Sequence, residues 1–180
     1  MRLFLALDIS SALRENLRPV LEGLRADGIS PVGPEQVHVT IKFLGEVDEE
    51  GLAFVKGRLG SGQAILAGTE LMLKSTSFDS FGSPPRVLWL GLAENHELKL
   101  LFGEVERRLA PRFPKEERSF SPHLTLARVK RWTPAAEKAW KGIKGKELVE
   151  TWIARELVLY KSTLTPEGVR YERMNTSPLQ

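Results

Sequence analysis

One short pattern occurs twice in this chain. His38-Val39-Thr40-Ile41 and His123-Leu124-Thr125-Leu126 both read His, apolar, Thr, apolar, and their histidines stand nearly half of the 180-residue chain apart. That spacing predicts two related halves, each bringing one histidine. In a β-strand, residues i and i+2 share a face, so each copy presents an imidazole with a hydroxyl beside it while the aliphatic residue between them turns away. Two such strands set against each other would build a cleft with two histidines and two threonines.

Strict alternation around the first copy puts Val37, Val39, Ile41 and Phe43 on a core-facing side and His38, Thr40 and Lys42 on the other, with Gly45 ending the strand. Before the second copy stands Pro122, at a strand's first position, where a missing N–H donor is tolerated. Alternation there sets Arg128 opposite His123 and Thr125, so it reaches the cleft only if the strand bulges or ends.

The remaining segments supply strands and covering helices. Leu3, Leu5 and Leu7 alternate with Phe4 and Ala6, as in a strand covered on both faces. Ser10 or Ser11 caps a helix with the stripe Leu13, Leu17, Leu21 and Leu24; Gly28 ends it, and a loop is expected from Ile29 to Gln36. Asp48 opens a second helix through Leu52, Val55 and Leu59, closing at Gly60 to Gly62. Strands are expected around Leu71 to Phe78 and Arg86 to Leu92, with a loop at Phe81 to Pro85 between them. Asn95 caps a helix with the stripe Leu98, Leu101, Phe102, Val105 and Leu109, which stops near Pro111; the charged loop Lys115 to Arg118 follows. Thr133-Pro134 opens a short helix through Trp140 and Ile143. The chain ends in a β-rich run from Val149 to Thr163, a turn at Thr165 to Gly168 and a strand near Val169 to Met174. The expected class is α+β with largely antiparallel sheets, in about one domain.

Composition narrows the chemistry. With no cysteine in the sequence, disulfides, thiolate catalysis and cysteine-rich zinc sites are excluded, and a cytosolic, redox-indifferent protein is expected. A net charge of +3 and a pI near 9.3 favour a mildly basic face and a phosphate-bearing partner. The opening segment is too short for a signal sequence, and no apolar run approaches a membrane span. The three histidines stand at no metal-ligand spacing and no Asp/Glu cluster completes a ligand set, so acid-base work is favoured over metal binding and no cofactor is called for. His96, at a helix start, is read as structural. Ser121 or Thr40 as a nucleophile stays open, although neither lies in a nucleophile-elbow pattern.

An imidazole with its ordinary pKa of about 6.5 is available as base or as acid near neutral pH, and a facing pair can take both roles in one step. In-line displacement at phosphorus suits such a pair: one ring takes a proton from the attacking oxygen, the other gives one to the leaving oxygen. Threonine hydroxyls two residues on can donate to non-bridging phosphate oxygens, and Arg128 can add a charge-assisted contact.

With these residues in view, the chain resembles the 2H phosphoesterase superfamily, and in particular the bacterial and archaeal RNA 2′,3′-cyclic phosphodiesterases long called 2′-5′ RNA ligases. The resemblance rests on Arg2-Leu3-Phe4-Leu5-Ala6-Leu7, on His38 through Gly45, on Phe120 through Arg128, and on Leu159-Tyr160-Lys161-Ser162 with Gly168 and Tyr171. It implies a bilobal, pseudo-twofold fold, two antiparallel sheets with outer helices and a central cleft, in a single domain of two intertwined lobes spanning residues 1–180. It implies metal-independent opening of a terminal 2′,3′-cyclic phosphate on RNA, or of a small cyclic nucleotide, to a 2′-phosphate. His38 would be the proton donor, His123 the proton acceptor, and Thr40, Thr125 and Arg128 the phosphate-binding residues. A monomer with no membrane and no metal partner is expected. The reverse joining of RNA ends through a 2′-5′ linkage, or an RNA-end binding module without turnover, are the alternatives.

Overall fold

The computed structural model describes residues 1–60, 64–66, 68–117, 119–166 and 168–180. Ser61 and Gly62 of the expected glycine-rich loop, Arg118 of the charged loop and Glu167 of the last turn lie outside the described residues.

The first strand, β1 (Arg2–Asp8), leads into α1 (Ser11–Gly23), where Ser10 is the cap: its Oγ accepts the Leu13 N–H at 3.1 Å. A short β2 (Ile29–Pro31) and a single 3-10 turn at Pro34–Gln36 precede the first histidine strand, β3 (His38–Glu46). Asp48 caps α2 (Glu49–Leu59) by accepting from the Gly51 N–H at 2.7 Å. The hairpin β4 (Leu71–Phe81) and β5 (Val87–Leu92) follows, then α3 (His96–Leu109), capped by Asn95, which accepts from the Leu98 N–H at 2.7 Å. The second histidine strand is β6 (His123–Val129). Thr133 caps α4 (Pro134–Lys141), and β7 (Thr151–Ala154), β8 (Glu156–Thr165) and β9 (Gly168–Pro178) close the chain.

All of these strand pairings are antiparallel, and the order along the sheet is β7-β4-β5-β6-β3-β1-β8-β9. The seam is at β3 and β6, which pair through a single position, Val39 with Leu124. Outward from that seam the order is β3-β1-β8-β9 on one side and β6-β5-β4-β7 on the other, so each histidine strand begins a four-stranded arm. The α+β, bilobal, pseudo-twofold fold is therefore observed, with the two arms joined edge to edge at their histidine strands. The chain crosses between arms at Arg155: β7 lies beside β4, whereas β8 lies beside β1.

Helices cover one face. Leu13, Leu17 and Leu21 of α1 share one buried apolar cluster with Leu3, Leu5 and Leu7 of β1, and Leu98, Leu101, Val105 and Leu109 of α3 join Leu88, Leu90, Leu124 and Leu126 in it. Alternation in β1 sends Phe4, Ala6 and Asp8 to the other face, where the histidines are.

Three sequence expectations change. Helix α1 stops at Gly23, with Leu24 as its C-cap, short of the expected Gly28. Ile29–Pro31 is a strand rather than loop: beyond the Val39–Leu124 contact β3 leaves β6, and β2 takes up the vacated edge, pairing Ile29 with Val129 and Pro31 with Ala127. The strict alternation expected of β3 also fails. Leu5 pairs with Lys42 but Ala6 pairs with Thr40, so Ile41 has no partner on β1. This is a β-bulge, and beyond it the side chains swap faces. Lys42 is buried at 6% exposure, while Phe43, expected in the core, is 65% exposed.

Candidate active site

The second histidine strand carries the same irregularity at the same place. Leu88 pairs with Ala127 but Trp89 pairs with Thr125, leaving Leu126 without a partner on β5. The bulge falls three residues after the histidine in both strands. From His38 to Phe43 and from His123 to Arg128 the burial runs alike: half-buried, buried, half-buried, buried, buried, exposed. The bulge turns Arg128 to the face of His123 and Thr125, the condition that alternation alone did not meet.

Both imidazoles are oriented by the same backbone device. His38 Nδ1 lies 2.6 Å from the Gln36 carbonyl oxygen, and His123 Nδ1 lies 2.8 Å from the Ser121 carbonyl oxygen. A carbonyl only accepts, so each Nδ1 carries the hydrogen and is committed to the backbone, while each Nε2 is not. His38 Nε2 stands 3.1 Å from Thr40 Oγ1. Gln36 is itself pinned: its side-chain oxygen accepts the Gly33 N–H at 2.9 Å and its amide nitrogen donates to the Val169 carbonyl of β9.

The surroundings of the two rings differ. His38 is packed among Phe4 (ring centroids 4.9 Å apart), Tyr171 (5.4 Å, edge-on) and Tyr160 (6.4 Å). This burial lowers its pKa; the Gln36 carbonyl and the Asp8 carboxylate oppose the shift, and the nearby His123 adds to it. His123 meets Phe81 edge-on at 5.0 Å and Trp89 at 6.1 Å. Because Val39 of β3 pairs with Leu124 of β6, the residues flanking them, His38 and Thr40 on one strand and His123 and Thr125 on the other, stand side by side at one site. Arg128 joins them through Tyr171: burial pushes the Tyr171 phenol up and the Arg128 guanidinium opposes it. Thr125, half-buried, shares the His123 face.

Beside His123 opens a groove of about 720 Å³, lined by Thr40, Phe43, Phe81, Phe102 and Phe120. Its walls are mainly apolar, as a site for a planar ring system requires. Lys42 also lines this groove, but its ammonium is already committed. Its Nζ donates to Glu106 of α3 at 2.5 Å and to the Pro114 carbonyl at 2.9 Å, and Glu106 is as deeply buried. His96 is exposed at the start of α3. Among the described residues no three His, Asp or Glu side chains gather as a metal cage, and no helix is long and apolar enough to cross a membrane.

Asp8, Phe81 and Trp89 stand at the site although neither His-x-Thr pattern includes them. A signal for Asp8 was present: in β1 it is the polar end of the Phe4-Ala6-Asp8 face. Trp89 reads as an ordinary strand aromatic and Phe81 as part of the loop between two strands; the pairing of β5 with β6 brings Trp89 to His123, and the pairing of β4 with β5 adds Phe81, which ends β4 as a strand residue.

Comparison with known proteins decides the family. The model of the 2′-5′ RNA ligase superfamily matches residues 12–165. This chain belongs to that superfamily. Among its relatives within the superfamily, a Methanocaldococcus jannaschii protein named RNA 2′,3′-cyclic phosphodiesterase is 38% identical, with 96% of this chain and 97% of the relative covered. An Archaeoglobus fulgidus protein of the same name is 34% identical over the same shares of the two chains. The crystal structure of TT0787 from Thermus thermophilus superposes with a TM-score of 0.79 at 28% identity, covering 99% of this chain and 98% of that one. Escherichia coli LigT complexed with 3′-AMP, at 22% identity, shares the superfamily fold with a TM-score of 0.77, over 99% and 97% of the two chains.

Proposed function

We propose that this protein opens the 2′,3′-cyclic phosphate at an RNA 3′ end, or on a small cyclic nucleotide, to a 2′-phosphomonoester without a metal. The observation that carries the reading is the matched pair of imidazoles, each with Nδ1 committed to a carbonyl two residues back and Nε2 left for proton transfer. The names of the archaeal relatives agree with it. Both histidines come from one chain, so a monomer suffices.

In the reaction a water oxygen attacks phosphorus while His123 Nε2 takes its proton. The phosphorus bond to the 3′ oxygen breaks, and that oxygen leaves with the proton held on His38 Nε2. Thr40, Thr125 and Arg128 donate to the non-bridging oxygens, where charge accumulates. The exposed ring of Phe43 offers a face for the base. Each proton transfer contributes about a hundredfold to ten-thousandfold. Burial makes His38 a reluctant cation in the free protein, but the arriving phosphate anion favours its protonated form, and a weakly held proton passes readily to the leaving oxygen.

The superfamily's name supports a second reading, the reverse joining of ends through a 2′-5′ linkage, which the same site permits by microscopic reversibility. The test is incubation with a nucleoside 2′,3′-cyclic phosphate and with a short RNA bearing that end, in EDTA, resolving the products. A 2′-phosphate from the wild type but not from His38→Ala or His123→Ala is expected. No product, or equal product from all three, would sink the proposal and favour an RNA-end binding module.

A further inference from the structure

The two histidines face different partners across their strands. Asp8 of β1 pairs with His38, and at the equivalent position Gly91 of β5 pairs with His123. Directly paired residues on antiparallel strands send their side chains to one face, about 5 Å apart at Cβ. His38 therefore has a carboxylate beside it, and His123 has a hydrogen atom.

The Asp8 carboxylate is held in place. Tyr160 donates its hydroxyl to Oδ1 at 2.6 Å, and Arg173 donates Nη1 to Oδ2 at 2.6 Å. The Asp8 carbonyl accepts from the Trp152 indole at 3.2 Å, which anchors the end of β1. Arg173 is in turn shared with Glu156 at 3.1 Å. The Tyr160 phenol is pushed far up by burial and by the adjacent carboxylate, so it stays a neutral donor and adds no charge of its own.

We infer that Asp8 is a positioning residue that assigns the proton-donor role to His38: it is the fixed anion that a protonated imidazole faces at one end of the cleft and lacks at the other. The inference rests on the proposed two-histidine reaction. The duplicated pattern by itself does not say which ring gives the proton and which takes it, and the burial of His38 works against its charged form. Both rings have the same carbonyl behind Nδ1 and a threonine two residues on. The charged and titratable groups around His38 are Asp8 from β1, His123 and Arg128 from β6, Tyr160 from β8, and Tyr171 and Arg173 from β9. Asp8 is the anion among them. Arg173 works against it, because a cation on the same carboxylate weakens the field at the ring.

A purely structural role for Asp8, tying β1 to the β8–β9 hairpin, makes a different prediction. It would make Asp8→Asn and Tyr160→Phe behave alike, since both weaken the same hydrogen bond. The inferred role separates them. In pH profiles of kcat/KM on a nucleoside 2′,3′-cyclic phosphate, Asp8→Asn moves the basic limb to lower pH, because the donor gives up its proton more easily. Arg173→Met moves that limb to higher pH, and Tyr160→Phe does not lower it. Titration of the His38 imidazole by NMR gives the same order without depending on turnover. A His38 titration in Asp8→Asn that coincides with the wild type, or equal displacement in Asp8→Asn and Tyr160→Phe, would overturn the inference. Wild-type turnover retained in His38→Ala and His123→Ala would instead overturn the reaction on which it rests.

Discussion

Strands β3 and β6 are alike in backbone and unlike in what the backbone delivers. Each starts with His, passes a half-buried Thr, bulges at the next residue and then exposes the side chain five places after the histidine. At the first of those exposed positions stands Phe43, at the second Arg128. The buried position before them is Lys42 in β3, paired with Glu106, and Ala127 in β6, which needs no partner. The shared part is what proton transfer needs, an oriented ring and a hydroxyl on each side of a phosphate. The unshared part is what binding needs, an apolar face for a base and a cation for a phosphate. On the proposed reaction, a site built on duplicated strands takes its direction from residues outside the duplicated pattern: Phe43, Arg128 and, across the strand, Asp8.

The largest effects should come from the shared part. His38→Ala and His123→Ala should each lower kcat by about a hundredfold to ten-thousandfold while far-UV circular dichroism stays at the wild-type trace. A loss confined to one of them would break the equivalence of the strands. Next comes the buried position. Lys42→Met leaves the Glu106 carboxylate buried without its cation and should cost about 3–5 kcal/mol in urea unfolding, whereas adding Glu106→Met should recover much of that loss. Additive costs in the double variant would mean that the pair is not the origin.

The two exposed positions should separate binding from chemistry. Arg128→Ala should lower kcat by about a hundredfold, in line with removing one preorganised donor from a developing oxyanion. Phe43→Ala should raise KM, by the roughly 1–3 kcal/mol that stacking one base contributes, and leave kcat near the wild type. If both variants changed KM alone, Arg128 would be a binding residue and the contrast with Phe43 would dissolve. The smallest effect concerns pH. Because burial holds His38 below the ordinary imidazole range, its proton is lost early as pH rises, so the basic limb of kcat/KM should lie at lower pH than an exposed histidine would give.

Much of this architecture was legible in the sequence, because it rests on local rules. Ser10, Asp48, Asn95 and Thr133 each cap the helix that the apolar stripes predicted, and the two His-x-Thr patterns mark the strands that form the seam. The bulges were not legible. Ile41 and Leu126 are apolar residues like any others on a core face, and what sets them apart is the missing partner on β1 or β5. Without that knowledge Phe43 reads as core and the Lys42 ammonium as free to face the cleft. The burial of Lys42 is a long-range fact too, set by Glu106 arriving from α3, where it lies on the same face as Phe102 and Leu109. The position of Asp8 opposite His38 follows from the register of β1 on β3, which periodicity alone does not fix.

The division of labour between the two rings is best tested with a nucleoside 2′,3′-cyclic phosphate whose 3′ bridging oxygen is replaced by sulfur. A thiolate leaves without being protonated, so a missing proton donor no longer matters. His38→Ala should regain most of its lost rate on this substrate relative to the oxygen parent, and His123→Ala should remain as slow as before. Rescue of His123→Ala in place of His38→Ala, or equal rescue of both, would contradict the assignment of donor and acceptor to these two strands.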